Sequence, residues 1–379
     1  MRRLQEEFAR LRRTQRQRSL ELPRGIDFTS NDYLGFSSHP ALVSAVRDAL
    51  DETGSVGAAG SRLLRGHQPG HAALETFAAA FFGCDKALYF STGFLANYAL
   101  FTTLVGRHDA IIFDELIHAS AKEGIHASHA RRFKVRHNDI DAFAAAVQRA
   151  KQAGAQQVWL AVESVYSMDG DVAPVEALIA LAHAEDAMLI VDEAHATGVF
   201  GASGRGVGDG RHGDPRVISL HTCGKALGAA GGLVCACGPV IDYLISAARP
   251  FIYSTAPPAF LAFAVKRALA LITEEPWRRH DLLQLSALAR AKLAAVPGAV
   301  VPDTAASQII PVLLGSEARA LTVAGALRTA GFDVRAIRPP TVPPGTARLR
   351  ISLSVERTEA EVEALAEALA RALAADKAA

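Results

Sequence analysis

Short unbroken apolar runs separated by longer amphipathic stretches dominate residues 87–237. Residues 87–90, 110–113, 158–162, 217–220 and 231–237 read as strands, 133–135 as a short one, and 188–191 is an unbroken run short enough to be a strand buried on both faces. Between them the pattern turns helical. A helix opens at Ser91-Thr-Gly-Phe94 and is expected to end near Val105, a second spans 140–153, and Pro174 begins a third at a favoured first position. Such alternation predicts an α/β fold: a mainly parallel seven-stranded sheet covered on both faces.

The rhythm changes on either side of this block. Residues 1–20 predict a basic amphipathic helix with Leu4, Phe8 and Leu11 on one face. Asn31-Asp-Tyr-Leu-Gly35 is turn chemistry, residues 40–50 predict a helix, and 54–62 form a glycine-rich loop in which backbone can approach a neighbour closely. Beyond about residue 275, runs at 309–314, 334–337 and 347–353 predict strands interleaved with helices. Thr358-Glu-Ala-Glu361 reads as the capping box of the last helix. The expected divisions are 1–40 as helix and lead-in, 41–275 as a large domain, and 276–379 as a small α+β domain.

Composition narrows the functional classes. The chain has 379 residues, half of them hydrophobic, and a formal net charge of +1. That balance gives no reason to expect nucleic acid or an anionic membrane as a partner. No apolar stretch approaches the roughly 18 residues of a spanning helix. The arginine-rich N-terminus carries Glu6 and Glu7 and lacks an apolar signal core. The four cysteines show no metal-ligand spacing. The expectation is a reduced, cytoplasmic enzyme.

Candidate chemistry lies at the strand ends. The run 188–191 leads into Asp192-Glu-Ala-His195, and the run 217–220 into His221-Thr-Cys-Gly-Lys225. Asp-Glu-Ala-His also occurs in helicases, but a Gly-x-x-x-x-Gly-Lys-Ser/Thr loop is absent and the single Gly-Lys lies downstream. A carboxylate at one strand end and a lysine after the next suit pyridoxal phosphate, which needs an amine for its Schiff base and an acid facing its ring nitrogen. Small residues at the helix start near Gly93 suit a phosphate.

With these motifs in view, the chain resembles the α-oxoamine synthases, a branch of the fold-type I pyridoxal-phosphate enzymes. The resemblance runs through Asn31–Gly35, Ser164-Val-Tyr-Ser-Met-Asp-Gly-Asp171, Asp192-Glu-Ala-His-Ala-Thr-Gly198 and Gly224-Lys-Ala-Leu-Gly228 to the arginine-bearing strand near the C-terminus. Residues 337–350 resemble the branch that joins L-alanine to a pimeloyl thioester, on coenzyme A or a carrier protein, toward biotin. Sister synthases using glycine, and an aminotransferase, are the competing readings. The resemblance implies that Lys225 bonds the cofactor, Asp192 faces the ring nitrogen, His195 and Ser167 approach the phenolic oxygen, and His118 stacks on the ring. It places the phosphate at Gly93, Phe94 and Thr222, with Ser254 and Thr255 reaching the neighbouring subunit of a homodimer. Arg350, assisted by Asn31, would hold the amino acid's carboxylate. Arg18 (with Arg16 as competitor), Thr341 and Arg338 would meet the acyl partner. Ser164, where glycine is usual, and Cys223 depart from the branch's wording.

Overall fold

The computed structural model describes residues 1–378 apart from 15, 19 and 21. Among the described residues the expected seven-stranded sheet is present. Read from one edge, its order is Lys86–Phe90, Gly232–Ala236, Val217–Thr222, Met188–Asp192, Val158–Glu163, Ala110–Asp114 and Arg131–Val135. The five strands from Val217–Thr222 to Arg131–Val135 run parallel, and the two at the first edge pair antiparallel. Ile111 and Phe113 pack into one apolar cluster while Ile112 packs into another on the opposite face. Both faces of the central strands are therefore covered and these read as continuous apolar runs, whereas the edge strand Arg131–Val135 is mostly exposed and carries three basic residues.

Local chemistry sets the helix starts. Thr92 caps Gly93–Thr103 by accepting the Leu95 N–H at 3.0 Å, and Asp139 caps Ile140–Gln152 by accepting that of Ala142 at 2.8 Å. Pro174 stands one residue before its helix, Val175–Ala184, rather than inside it. Helices without a sequence expectation appear at Pro69–Phe82, Ala119–Ala127, Gly238–Ala247, Arg249–Ile252 and Ala259–Glu274. The N-terminal helix is shorter than expected: it spans Arg2–Arg13, where Thr14 closes it with bonds to the Arg10 and Leu11 carbonyls. It buries no residue, so no tertiary packing extends it. Residues 15 and 19, inside the expected 1–20 helix, lie outside the described residues.

Near the C-terminus, Ala347–Ser352 lies between Arg335–Ile337 and Ile309–Gly315 in an antiparallel sheet. The capping box is present: Thr358 N–H reaches Glu361 Oε2 at 2.8 Å, and Glu361 N–H reaches Thr358 Oγ1 at 3.2 Å. One apolar cluster runs from Tyr33, Phe36 and Leu227 through Ile309 and Leu349 to Leu365. No described helix is long and apolar enough to cross a membrane.

The loop following Val158–Glu163 touches the second sheet at Gly170. Its φ is +69°, and a Cβ there would overlap the Ile309 carbonyl oxygen. Gly170→Ala should therefore destabilise the fold by about 2 kcal/mol or more, read as a lowered denaturant midpoint.

Candidate active site

The site is built where the parallel strands end. Glu163 and Asp192 are register partners on adjacent strands, so their side chains lie on the same face at the same edge. Lys225 stands three residues beyond Val217–Thr222, on the turn into Gly232–Ala236. That turn is closed by Ala229 N–H to the Cys223 carbonyl at 2.9 Å and Gly228 N–H to that of Lys225 at 2.8 Å.

Asp192 is buried, and both of its described donors are neutral. Asn97 Nδ2 donates at 2.7 Å and the Ala194 N–H at 3.0 Å. Asn97 also donates to Ser120 Oγ at 2.9 Å, which lies 2.8 Å from His118 Nδ1. His118 is not simply a loop residue: it caps Ala119–Ala127, and this chain of bonds ties it to Asp192.

A second chain of contacts starts at the lysine. His195 Nε2 lies 2.9 Å from Lys225 Nζ, and its Nδ1 lies 2.6 Å from the Tyr33 hydroxyl. Tyr33 donates to Asn31 Oδ1 at 3.0 Å, and Arg350 Nη2 donates to the same oxygen at 3.0 Å. Arg350 also bonds the Ser167 carbonyl and Ser352 Oγ, each at 2.6 Å. A guanidinium has five N–H donors, so about two remain after these close bonds. Ser167 turns its backbone N–H to Glu163 Oε2 at 3.2 Å. The structure thus joins Lys225, His195, Asn31, Arg350 and Ser167 in one connected set.

Burial governs the electrostatics. It brings the Lys225 amine down to about 8, against the pull of Asp192 and Glu163 and with help from Arg350. It holds the His195 imidazole well below its ordinary range, assisted by the charges of Lys225 and Arg350. It pushes the Glu163 carboxyl up to about 8, with Asp192 beside it contributing.

The residues fit pyridoxal phosphate. Asp192, whose donors among the described residues are both neutral, can take a protonated ring nitrogen as a charged hydrogen-bond partner. Gly93 faces Thr222 so closely that a Cβ would collide with Thr222 Cγ2. With Thr92 occupied at Leu95, the N–H groups of Gly93 and Phe94 at the helix start remain for a phosphate.

Other expected residues stand apart within the single chain. Thr255 pairs with Ser61 across an antiparallel bridge beside the glycine-rich loop. Thr341 is exposed in a turn, its N–H on the Arg338 carbonyl at 3.1 Å. Arg18 is exposed, whereas Arg16 forms an ion pair with Glu317 at 2.9 Å. Tyr33, Asn97, Ser120 and Glu163 had no assigned role in the sequence. Tyr33 sits inside the turn motif of Asn31, which was a usable signal, while the other three meet their partners only through the fold.

A lysine on the turn after one strand, an aspartate ending the next and a phosphate-sized helix start define a pyridoxal-phosphate-dependent enzyme of fold type I. The chain matches the aminotransferase class I and II family over residues 23–369. It is 45% identical over 354 residues to 8-amino-7-oxononanoate synthase of Chromobacterium violaceum, a match covering 90% of each chain. Serine palmitoyltransferase from S. paucimobilis, solved with bound PLP, is similar with a TM-score of 0.90 at 28% identity, over 99% of this chain and 98% of that one. An 8-amino-7-oxononanoate synthase structure from Francisella tularensis gives 0.78 at 28% identity, over 93% of this chain and 99% of that one. The chain therefore belongs to the aminotransferase class I and II family and, within it, to the 8-amino-7-oxononanoate synthases.

Only a neutral amine attacks the cofactor's aldehyde. The rate at which cofactor-free protein takes up pyridoxal phosphate should rise with pH and level off above about 8, not near 10.5, the ordinary value for a lysine. Stopped-flow absorbance across that range checks it.

Proposed function

We propose that this chain condenses L-alanine with a pimeloyl thioester, releasing CO2 and the free thiol, in biotin synthesis. The observation that carries this reading is the unbroken set from Arg350 through Asn31, Tyr33 and His195 to Lys225. It supports a carboxylate receptor at Arg350 joined by hydrogen bonds to a base at Lys225. The 8-amino-7-oxononanoate synthases to which the chain is similar agree with it.

Bound pyridoxal phosphate supplies an electron sink for charge developing at the amino acid's Cα. The chain's own residues do the rest. Arg350, fixed at Ser167, Ser352 and Asn31, offers its remaining N–H groups to the alanine carboxylate. Lys225, half of whose amine is neutral near pH 8, takes the Cα proton and later returns it. His195 stays uncharged beside it, so it neither repels the protonated lysine nor competes for the carboxylate. Asn97 holds Asp192 in place to keep the ring nitrogen charged, and His118 covers the ring from its helix start. Holding both substrates in one orientation contributes much of the rate.

The acyl group arrives on an acidic carrier protein. Arg10, Arg12 and Arg13 crowd the last turn of a helix that buries nothing, which leaves a basic surface for such a partner. Two copies of the chain pair around Thr255. Tyr253, Leu63 and Leu64 near it are exposed, an apolar patch suited to a second copy.

Lys225→Ala should abolish thiol release from pimeloyl thioester in the presence of alanine while the fold is retained. Wild-type turnover would overturn the scheme. Arg350→Lys, which loses the fork, should raise the KM for alanine by about tenfold or more with a smaller change in kcat. Arg12→Glu with Arg13→Glu should raise the KM for acyl-carrier protein and leave that for acyl-coenzyme A nearly unchanged. Equal values for both donors would remove the carrier reading.

A further inference from the structure

Two loops frame the site from the large sheet. One follows Ala110–Asp114 and leads to His118. The other follows Val158–Glu163 and carries Ser167. Neither has a strand to fix its distance from the other above the sheet. Between them sits His137, just past Arg131–Val135, a residue that none of the roles above uses.

His137 bridges the loops with both ring nitrogens. Nδ1 lies 3.0 and 3.1 Å from the carboxylate oxygens of Asp114, and Nε2 lies 2.6 Å from Asp171 Oδ2. Asn138 repeats the bridge. Its N–H donates to Asp114 Oδ2 at 2.8 Å and its Nδ2 to Asp171 Oδ2 at 2.8 Å, with a left-handed φ of +51°. Both carboxylates are buried. The Tyr166 ring meets the imidazole edge-on at 4.4 Å and closes the third side.

Each anchor leads to a site residue. Asp114 Oδ1 accepts the Leu116 N–H at 2.8 Å, and the Asp114 carbonyl accepts that of Ile117 at 3.1 Å, the two residues that lead into His118. The Asp171 carbonyl accepts the Tyr166 N–H at 3.0 Å, next to Ser167. Ser167 in turn bonds Glu163 and Arg350 through its backbone. From the other side this loop is fixed by Arg348, which ion-pairs with Asp169, and by Ala306 N–H on the Gly170 carbonyl at 3.0 Å.

We propose that His137 is a positioning residue for the reaction: as an imidazolium it clamps Asp114 to Asp171 and so sets the spacing between the His118 loop and the Ser167–Arg350 contact. The proposal rests on the reading that those residues hold the ring and the amino acid. Two carboxylates this close, without a cation between them, repel each other and carry an uncompensated buried charge. Burial disfavours the charged ring, but its hydrogen bonds to Asp114 and Asp171 outweigh that and hold it up to about 10. The clamp therefore stays charged through the neutral range. Its folded value lies above the ordinary histidine value, so the stability it adds is complete below about 6.5 and is lost as pH rises through 10. The other ionisable groups facing the pair are Glu115, whose Oε1 accepts the His137 N–H at 3.3 Å, Tyr166, and Lys122 and Glu163 within reach of Asp114.

The test is H137Q in the pyridoxal-phosphate-loaded enzyme, titrated with L-alanine by absorbance from about pH 6 to 9. The quantity read is the ratio of variant to wild-type alanine affinity, which removes the titrations that the two proteins share. The ratio should show alanine binding weakened about tenfold at the alkaline end and recovering toward wild type at the acid end. There one carboxyl takes up a proton and can bond the other in place of the cation. KM should move more than kcat. Adding Asp171→Asn to H137Q should abolish the pH dependence, because a neutral amide then faces a single carboxylate. A variant that melts at lower temperature but keeps wild-type alanine affinity at every pH overturns the proposal. If H137Q does not fold, D171N alone should weaken alanine several-fold, and unchanged affinity overturns the proposal equally. A wild-type enzyme that holds pyridoxal phosphate yet ignores alanine sinks the substrate reading alone. The clamp is then read from the affinity for pyridoxal phosphate, where a pH-dependent loss in H137Q supports it and identical curves overturn it.

Discussion

The burial of Asp192 at the end of the Met188–Asp192 strand is the constraint on which the rest of the site depends. A carboxylate there is costly unless donors surround it and a positive charge faces it. The chain supplies the donors, Asn97 and the Ala194 N–H, and the ring nitrogen proposed to face Asp192 would supply the positive charge. The same low-dielectric environment brings Lys225 into the range where an amine can exchange protons near neutrality. It also raises Glu163 and keeps His195 uncharged. One physical fact, a dry edge of a parallel sheet, therefore sets the protonation of several groups together.

The second constraint is geometric. The residues proposed to surround the amino acid come from opposite ends of the chain. Asn31 and Tyr33 lie in the lead-in to the large sheet, and Arg350 lies on a strand of the other sheet. They meet directly, with the Ser352 N–H on the Phe28 carbonyl and the Val355 N–H on that of Tyr33, each at 2.9 Å, and the loop from Glu163 to Asp171 joins them through the Ser167 carbonyl on Arg350. Arg348, Arg350 and the close approach of Gly170 to Ile309 hold it from one side, and His137 holds it from the other. A loop gripped from both sides keeps its backbone groups fixed, and backbone groups of Ser167 orient both Arg350 and Glu163.

Much of this was legible along the chain, for stated reasons. Strands buried on both faces must be continuously apolar, and six of the seven runs between residues 87 and 237 became such strands, while 133–135 fell in the mostly exposed edge strand Arg131–Val135. Lys225, Asp192 and His195 stood out because their types and order suit one cofactor. The limits are equally physical. Ala-rich Pro69–Phe82 and short Ala119–Ala127 carry weak periodicity, and tertiary packing decides them. The N-terminal helix was read too long because amphipathic pattern alone cannot say where packing stops supporting a helix.

By itself the sequence determined the class of sheet, the cofactor chemistry at its edge and the family. Each depends on residue type and on order along the chain. The tertiary structure alone decided that Tyr33 would meet His195, that Asn97 would hold Asp192, and that His137 would stand between Asp114 and Asp171. Those contacts join residues far apart in the chain, and a hydrogen bond at 2.6–3.0 Å exists only once the sheet, its loops and the second sheet have taken up their places.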